Sequence, residues 1–214
     1  MKQRMIQFIL KYILFFHNFL YKLISKLAII ANHGIHPKHD ILKYEEFFLN
    51  CIDPADTIVD IGCSSGEVTR VVASKAKKVV GIEIEPKKIA KAKGKKHINN
   101  LTYIVGDATN YTFEDKFDKI ILSNVLEHIE NRIDFLKKMH TISDTILLRV
   151  PMIDRDWITI YKKQLDIEYR LDKTHYIEYT INSLKKELKE SGWNLDSFSI
   201  QFGECWGKLI MKKK

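Results

Sequence analysis

Cysteine, proline and glycine are scarce in this chain of 214 residues, which contains 3 cysteines, 4 prolines and 9 glycines. Cys51, Cys63 and Cys205 lie far apart and are odd in number, so they predict neither a disulfide framework nor a metal site built from paired cysteines. Free thiols fit a reducing cytoplasm. The sequence also lacks internal repeats and low-complexity linkers, and its length suits one α/β domain with some additional chain.

Acidic residues are missing from residues 1–30, although this segment contains five Lys and Arg residues. The formal net charge of the whole chain is +8 at pH 7, so the remaining residues contribute only +3. A body this close to neutral gives little support to a nucleic-acid groove, which requires a basic surface. We therefore expect no nucleic-acid partner.

The first 27 residues predict an amphipathic helix. At about 100° per residue, seven polar residues fall in one narrow sector and the remaining surface is apolar. The polar residues are Arg4, Gln7, Lys11, Asn18, Lys22, Ser25 and Lys26. Two lysines interrupt the run of ~20 apolar residues that a membrane span needs. We expect a helix lying in the surface of the membrane, with its cations near lipid phosphates. The alternatives are packing on its own domain, packing on a second subunit, and a true span.

The stretch Thr57–Ile61 predicts a short buried strand, and a glycine turn of the form G-x-x-x-G follows it. Open α/β sheets bind ligands where strands end, and glycine lets the backbone turn sharply beside a ligand. The spacing differs from the G-x-G-x-x-G of dinucleotide-binding proteins. Asp60, just before the turn, would repel a pyrophosphate but suits a cationic ligand. The turn therefore disfavours an NAD-dependent enzyme.

Strand and helix patterns alternate along the rest of the chain, which predicts a parallel sheet. Predicted strands are 57–61, 78–83, 101–105, 118–122 and 145–150, followed by two closing strands at 193–201 and 204–211. Predicted helices are 41–51, capped by Asp40, and 86–96, 133–140, 157–164 and 181–190. The pattern indicates an α/β fold with a Rossmann-like sheet.

Residues at the strand ends suit an adenosine ligand. Glu83 ends the second strand 21 residues after Gly62, and a carboxylate there can accept from both ribose hydroxyls. Asp107 follows the third strand and can accept from an adenine amino group. The Ala108 N–H can serve a ring nitrogen, and Ile84 would pack on the adenine face.

Two motifs resemble those of the class I S-adenosylmethionine-dependent methyltransferases. D-x-G-x-x-x-G at 60–66 is similar to their first motif, with Ser64 where a third glycine is usual. F-D-x-I-x-x-x-x-V-L-E-H-I at 117–129 is similar to the fourth-strand motif of small-molecule members, which include ubiquinone-biosynthesis O-methyltransferases. The resemblance covers roughly residues 36 to 206. It implies a seven-stranded methyltransferase sheet and S-adenosyl-L-methionine as cofactor.

The resemblance also implies a set of cofactor-binding residues. These are Asp60, Gly62, Cys63, Gly66, Glu83, Ile84, Asp107, Ala108 and Asn124. In the ubiquinone-type enzymes, related acidic and histidine positions can hold a divalent metal. The first of these positions is Asn124 here rather than glutamate, and the three histidines within 33–39 lack metal-ligand spacing. We therefore predict no metal.

Methyl transfer from a sulfonium demands little beyond in-line placement of the acceptor. An alcohol acceptor must also lose its proton, and a base with a pKa near neutrality assists this. His128, in the fourth-strand motif, and His175, in a later motif, are the two candidate catalytic residues. Either histidine could instead be structural.

Residues 152–180 are unusually rich in aromatic and charged side chains, a mixture that suits sugar rings and hydroxyls. Candidate acceptor-binding residues are Arg155, Trp157, Tyr161 and Arg170. The segment resembles proteins linked with surface-glycan assembly, which implies a glycan or lipid-linked acceptor. The alternative is a structural insertion whose charges pair with one another.

Together these features predict a helix at 1–30 and a methyltransferase domain at 31–214. The predicted activity is O-methylation of a small-molecule, glycan or lipid-linked acceptor at the cytoplasmic face of the membrane. The alternatives are an RNA methyltransferase, although Ser123–Leu126 is not of the N-P-P-Y type, and a non-catalytic, membrane-associated cofactor-binding protein. Assembly of the chain into an oligomer is compatible with the sequence.

Overall fold

The computed structural model describes residues 2–34 and 36–212, which form a seven-stranded sheet flanked by helices. The strands are β1 Thr57–Ile61, β2 Lys78–Glu83, β3 Leu101–Val105, β4 Lys119–Ser123, β5 Thr145–Pro151, β6 Trp193–Gln201 and β7 Glu204–Met211. The helices are α1 Lys2–Ala31, α2 Lys38–Leu42, α3 Tyr44–Asn50, α4 Glu67–Ala73, α5 Pro86–Lys93, α6 Arg132–Met139, α7 Trp157–Gln164 and α8 Ile181–Glu190. Short 3₁₀ turns lie at Leu126–His128 and Ile153–Arg155.

The strand order is β3-β2-β1-β4-β5-β7-β6, and β1 to β5 run parallel. Strand β7 lies antiparallel between β5 and β6. The chain winds outward from β1 in one direction and from β4 in the other. Such a reversal opens a crevice at the carboxyl ends of the two central strands. The predicted α/β sheet of seven strands is confirmed.

Successive residues of the central strands point to opposite faces of the sheet, as the two-residue period of a strand requires. On β1, Val59 and Ile61 belong to one hydrophobic cluster, which also contains residues of α6 and α8. Ile58 belongs to a second cluster on the other face, with residues of α3 and α4. Burial on both faces explains why these strands read as continuous apolar runs.

The single helix predicted at 41–51 is wrong, because the chain forms α2 and α3 there. Lys43 separates them with a φ of 48°, in the left-handed region. Asp40 lies inside α2 and does not cap it. The break brings Tyr44 into the core, where its ring lies 3.8 Å from the Arg149 guanidinium and its hydroxyl contacts His39. This tertiary contact outweighs the local helical pattern.

A buried ion pair joins β5 to β7. Arg149 Nε and Nη2 donate to the two carboxylate oxygens of Glu204 at 2.6 and 2.8 Å. Both residues are more than nine-tenths buried, and Trp206 Nε1 also donates to Glu204 at 3.1 Å. A bidentate pair of this kind fixes strand register, since each partner alone would be an uncompensated buried charge.

Helix α1 contacts the domain along one stripe, where Leu14 is buried and Asn18 and Ser25 are partly buried. Asn18 Nδ2 donates to the Glu168 carbonyl at 2.7 Å, and Lys162 Nζ donates to Asn18 Oδ1 at 2.7 Å. Met1, part of the predicted helix, lies outside the described residues. Two polar members of the predicted stripe, Asn18 and Ser25, thus face the protein, whereas its four cations and most of the apolar side chains of α1 are exposed.

Replacing Arg149 with methionine should lower the free energy of unfolding by ~3–5 kcal/mol, because Glu204 is then left buried without its partner. Urea denaturation followed by circular dichroism measures this loss. The exposed Lys91→Met substitution is the control and should change stability by less than ~0.5 kcal/mol. The double change Arg149→Met/Glu204→Met should recover part of the loss; a double variant as unstable as Arg149→Met alone would contradict the pairing.

Candidate functional site

A cavity of about 750 Å³ lies at the carboxyl ends of β1 to β4. Its size is within the range of small-molecule sites. The predicted cofactor residues that line it are Gly62, Glu83, Ile84, Asp107, Ala108 and Asn124. Ser64, Ser123, His128, Asp172 and Thr174 also line it. The sequence motifs of four separate strands therefore meet at one cavity.

The turn after β1 is held by the end of β2. The Ile82 carbonyl accepts from Gly62 N at 2.8 Å and from Cys63 N at 3.1 Å. Ser64 N donates to Glu83 Oε2 at 3.1 Å. Gly62 has a φ of 71°, and a Cβ there would lie 2.5 Å from Cγ2 of Val125. Glycine is required here both by backbone conformation and by the close approach of the β4 loop.

Three of the predicted cofactor residues support this turn from behind and do not line the cavity. Gly66 has a φ of 79°, and a Cβ there would lie 2.1 Å from Oη of Tyr103. The buried Cys63 side chain packs in a cluster with Tyr103. Asp60 is buried and accepts from Thr69 Oγ1 at 2.6 Å. Burial raises the pKa of Asp60 to about 7.

The adenosine wall predicted from the sequence lies along one side of the cavity. Glu83 is 7% exposed and its second oxygen accepts from Glu85 N at 3.0 Å. Ile84 is 60% exposed, so its side chain is free to cover a ring. Asp107 accepts from Thr109 Oγ1 and from Thr109 N, and these hydrogen bonds hold the pKa of its carboxyl below the usual range. Contact of these residues with a cofactor stays a prediction.

Asn124 has a buried amide oxygen with no hydrogen-bond partner among the described residues. Its backbone is in the left-handed region, with a φ of 55°, and its N–H donates to the Arg149 carbonyl at 2.8 Å. A buried acceptor left open costs free energy unless a ligand or water satisfies it. This orphaned oxygen on the cavity wall fits a ligand that carries a donor, such as the ammonium of S-adenosylmethionine.

The two candidate histidines lie side by side but in different environments. Their rings are 4.7 Å apart and nearly perpendicular. His175 is 6% exposed and its Nδ1 lies 3.2 Å from Glu178 Oε1, away from the cavity lining. His128 lines the cavity, and burial together with the neighbouring His175 lowers its pKa. Of the two, His128 is the one that lines the cavity, and a catalytic role for either histidine stays a prediction.

Glu127 is a buried acid that was not among the predicted site residues. It is fully buried, and neither carboxylate oxygen has a hydrogen-bond partner among the described residues. Burial raises the pKa of Glu127 to about 8, so the carboxyl is mainly protonated at neutral pH. The signal in the sequence was an acid between the apolar Leu126 and Ile129, in a run otherwise typical of a core. Ser64, Asp172 and Thr174 were likewise not predicted to line the site.

Glu127, His128 and His175 each place one nitrogen or oxygen atom within 4.8 Å of the others. A structural zinc site needs four protein ligands, whereas a catalytic zinc site needs three and keeps a position for water. Asn124 stands where the ubiquinone-type pattern has its first acid. The absence of a metal stays a prediction.

The four candidate acceptor residues do not line the cavity that residues 2–34 and 36–212 form. Arg155 pairs with Glu178 and donates to the Met152 carbonyl at 3.0 Å. Arg170 Nη2 pairs with Glu168 at 2.8 Å. Trp157 is 71% exposed and Tyr161 lies beside it, with ring centroids 6.1 Å apart. The charges of this segment pair with one another, as the structural alternative expects, and acceptor binding by these residues stays a prediction.

Comparison with known proteins places this site in a family. A family model described as a methyltransferase domain matches residues 59–144, which hold the glycine turn and the fourth-strand motif. Residues 59–144 therefore form a methyltransferase domain of the class I, S-adenosylmethionine-dependent type. The predicted family and its cofactor, S-adenosyl-L-methionine, are confirmed.

Two curated proteins illustrate the range of similar sequences. (S)-coclaurine N-methyltransferase of Papaver somniferum is 28% identical over 194 residues, covering 76% of this chain and 55% of that protein. A probable ribosomal RNA small subunit methyltransferase A of Methanosarcina acetivorans is 34% identical over 85 residues, covering 39% of this chain and 31% of that protein. The chain spans between about a quarter and about half of the length of the curated relatives it matches.

Solved structures share the fold of this chain at low sequence identity. Magnesium protoporphyrin IX methyltransferase of Synechocystis, with bound SAH, has a TM-score of 0.63 at 18% identity and covers 81% of this chain and 82% of that one. A chain from the complex of the Haloferax volcanii Trm112 methyltransferase activator has a TM-score of 0.67 at 13% identity, with 82% and 93% covered.

Gly62→Val should abolish binding of S-adenosylmethionine, because the branched side chain would meet Val125 and displace the turn that walls the cavity. Isothermal titration measures the affinity, and circular dichroism verifies that the variant is folded. Gly94→Ala is the matched control, since a Cβ there makes only ordinary contacts. A folded Gly62→Val protein with wild-type affinity would remove this turn from the cofactor site.

Proposed function

We propose that the chain transfers a methyl group from S-adenosylmethionine to a hydroxyl of a small-molecule, glycan or lipid-linked acceptor, with His128 as general base. The observation that carries this proposal is the position of His128 on the wall of the cavity that also holds Gly62, Glu83 and Asp107. The acceptor class is therefore inferred from the base beside the cofactor cavity and from the polar segment 152–180.

The environment of His128 supports the role of base. Burial and the neighbouring His175 lower its pKa, so the ring is neutral at physiological pH and can accept a proton. Glu127 next to it is mainly protonated at neutral pH, because burial raises its pKa to about 8. Glu127 therefore adds little negative charge beside the His128 ring in the resting state.

We further propose that α1 holds the domain on an anionic membrane surface. By length and composition, α1 is one helix in the described part of the chain that could cross a membrane. Its apolar side chains are exposed over most of its length, at Met5, Ile6, Phe8, Ile9, Tyr12, Ile13, Phe15, Phe16, Phe19, Leu20, Tyr21, Leu23, Ile24, Leu27 and Ile30. Monomeric soluble proteins rarely leave so large an apolar surface uncovered. Arg4, Lys11, Lys22 and Lys26 are exposed on the same helix and would each add ~1 kcal/mol of attraction to anionic lipids.

His128→Ala should lower methyl transfer by ~10²-fold or more while leaving the affinity for S-adenosylmethionine nearly unchanged. The assay follows tritiated methyl groups into fractionated cell envelope, small molecules, RNA and protein, and mass spectrometry of the product identifies the methylated atom. His175→Ala is the comparison variant and should retain more activity. Label in RNA alone would replace the proposed acceptor by RNA, and wild-type turnover in His128→Ala would refute the base.

The variant Phe8→Ser/Phe15→Ser/Phe19→Ser should stay in solution when the wild-type protein sediments with vesicles of phosphatidylglycerol and phosphatidylcholine. It removes exposed apolar area and keeps Leu14 and Asn18, which contact the domain, so cofactor affinity should not change. High salt should weaken wild-type sedimentation, because the lysine contribution is screened. A wild-type chain that does not sediment at low salt, or a dimer that the triple variant dissociates, would end the membrane proposal.

A further inference from the structure

A chain of hydrogen-bonded side chains ends on the His128 ring. Thr174 Oγ1 and Thr174 N donate to Asp172 Oδ1 at 2.8 and 2.9 Å. The same hydroxyl oxygen lies 2.9 Å from Nδ1 of His128. All three residues line the 750 Å³ cavity, so this chain forms part of its wall.

The number of available hydrogens fixes which group donates in each of these hydrogen bonds. A threonine hydroxyl has one hydrogen to donate, and an ionised carboxylate can only accept. The hydrogen bonds from the Thr174 backbone and side chain lower the pKa of Asp172, so this carboxyl is ionised at neutral pH. The hydroxyl hydrogen therefore points to Asp172, and the oxygen offers a lone pair to His128 Nδ1.

We infer that Asp172 and Thr174 are positioning residues that keep the His128 proton on Nδ1 and leave Nε2 as the basic nitrogen. This inference rests on the proposed function and specifies the tautomer of the base. A neutral imidazole has one N–H, so the hydrogen-bond partner of one ring nitrogen decides whether the other carries the hydrogen. A ring free to protonate on Nε2 could not accept a proton at that atom.

The reaction balances on this arrangement. His128 Nε2 takes the proton of the acceptor hydroxyl as that oxygen forms a bond to the methyl carbon. The bond from the methyl carbon to sulfur breaks at the same time, and its electron pair stays on sulfur. The resulting imidazolium keeps its Nδ1–H on Thr174. The nearby Asp172 carboxylate stabilises this cation, since opposite charges favour the charged ring.

His175 is also held at Nδ1, but it lies away from the cavity. Its Nδ1 faces the carboxylate of Glu178. Burial alone would raise the pKa of Glu178, but hydrogen bonds from His175 and Arg155 outweigh burial and lower it. Its ring is 6% exposed and does not line the cavity. Access to the cavity thus distinguishes the two histidines: His128 combines an oriented ring with a place on the cavity wall.

The tautomer of His128 is measurable on the full chain without knowing the acceptor. Long-range ¹H–¹⁵N correlation spectra of ¹⁵N-histidine-labelled protein in detergent report which ring nitrogen bears the hydrogen, and His128→Gln assigns the signal. We expect the Nδ1–H form in the wild type and in Thr174→Ser, which keeps the hydroxyl. Thr174→Val and Asp172→Ala should shift the ring toward the Nε2–H form. Lys173→Ala, an exposed neighbour, is the control and should leave the spectrum unchanged.

The kinetic arm uses the acceptor found in the tritium assay. Thr174→Val should lower kcat by ~10²-fold with unchanged affinity for S-adenosylmethionine, and Thr174→Ser should restore most of it. A wild-type His128 in the Nε2–H form, or variants that leave both the tautomer and kcat as in the wild type, would overturn the inference. Absence of any methyl transfer by the wild type would refute the proposed function while the spectra still decide the tautomer.

Discussion

The site depends on the continuation of the β1–β2 pairing into the turn that follows β1. Ile61 pairs with Ile82 in the parallel ladder, and the Ile82 carbonyl then accepts from the next two residues of the chain, Gly62 and Cys63. Glu83 extends the same contact through Ser64 N. The turn that walls the cavity is therefore a hydrogen-bonded extension of the sheet.

The electrostatics of the cavity surroundings follow from burial more than from ion pairing. Asp60 behind the turn and Glu127 beside the histidines both have raised pKa values, so much of their negative charge is suppressed near neutral pH. Glu83 and Asp107 place their carboxyl groups on the cavity wall, and both accept hydrogen bonds from backbone N–H groups. A ligand with a positive sulfonium and a neutral adenosine suits a cavity with acceptors on one wall and few fixed cations.

The sequence allowed the fold and much of the cavity wall to be predicted, because these depend on local patterns. Apolar runs gave the strands, and residues at fixed positions after them, such as Glu83 and Asp107, reach the cavity because parallel strands end at one edge. The split at Lys43 could not be predicted, since it follows from packing of Tyr44 on Arg149. The polar segment was ambiguous for a similar reason: whether Arg155 faces a sugar or Glu178 is decided by tertiary contacts.

The structure assigns the two glycines of the turn to different constraints. Gly62 leaves room for Val125 at the cavity, whereas Gly66 leaves room for the phenol of Tyr103 behind it. Among homologous sequences, positions 66 and 103 should therefore vary together, with a side chain at 66 only where 103 is small. Position 62 should vary with 125, independently of the first pair. One short motif would then carry two separate evolutionary couplings. Position 62 would be coupled to a residue at the cavity, and position 66 to a residue in the packing behind the turn.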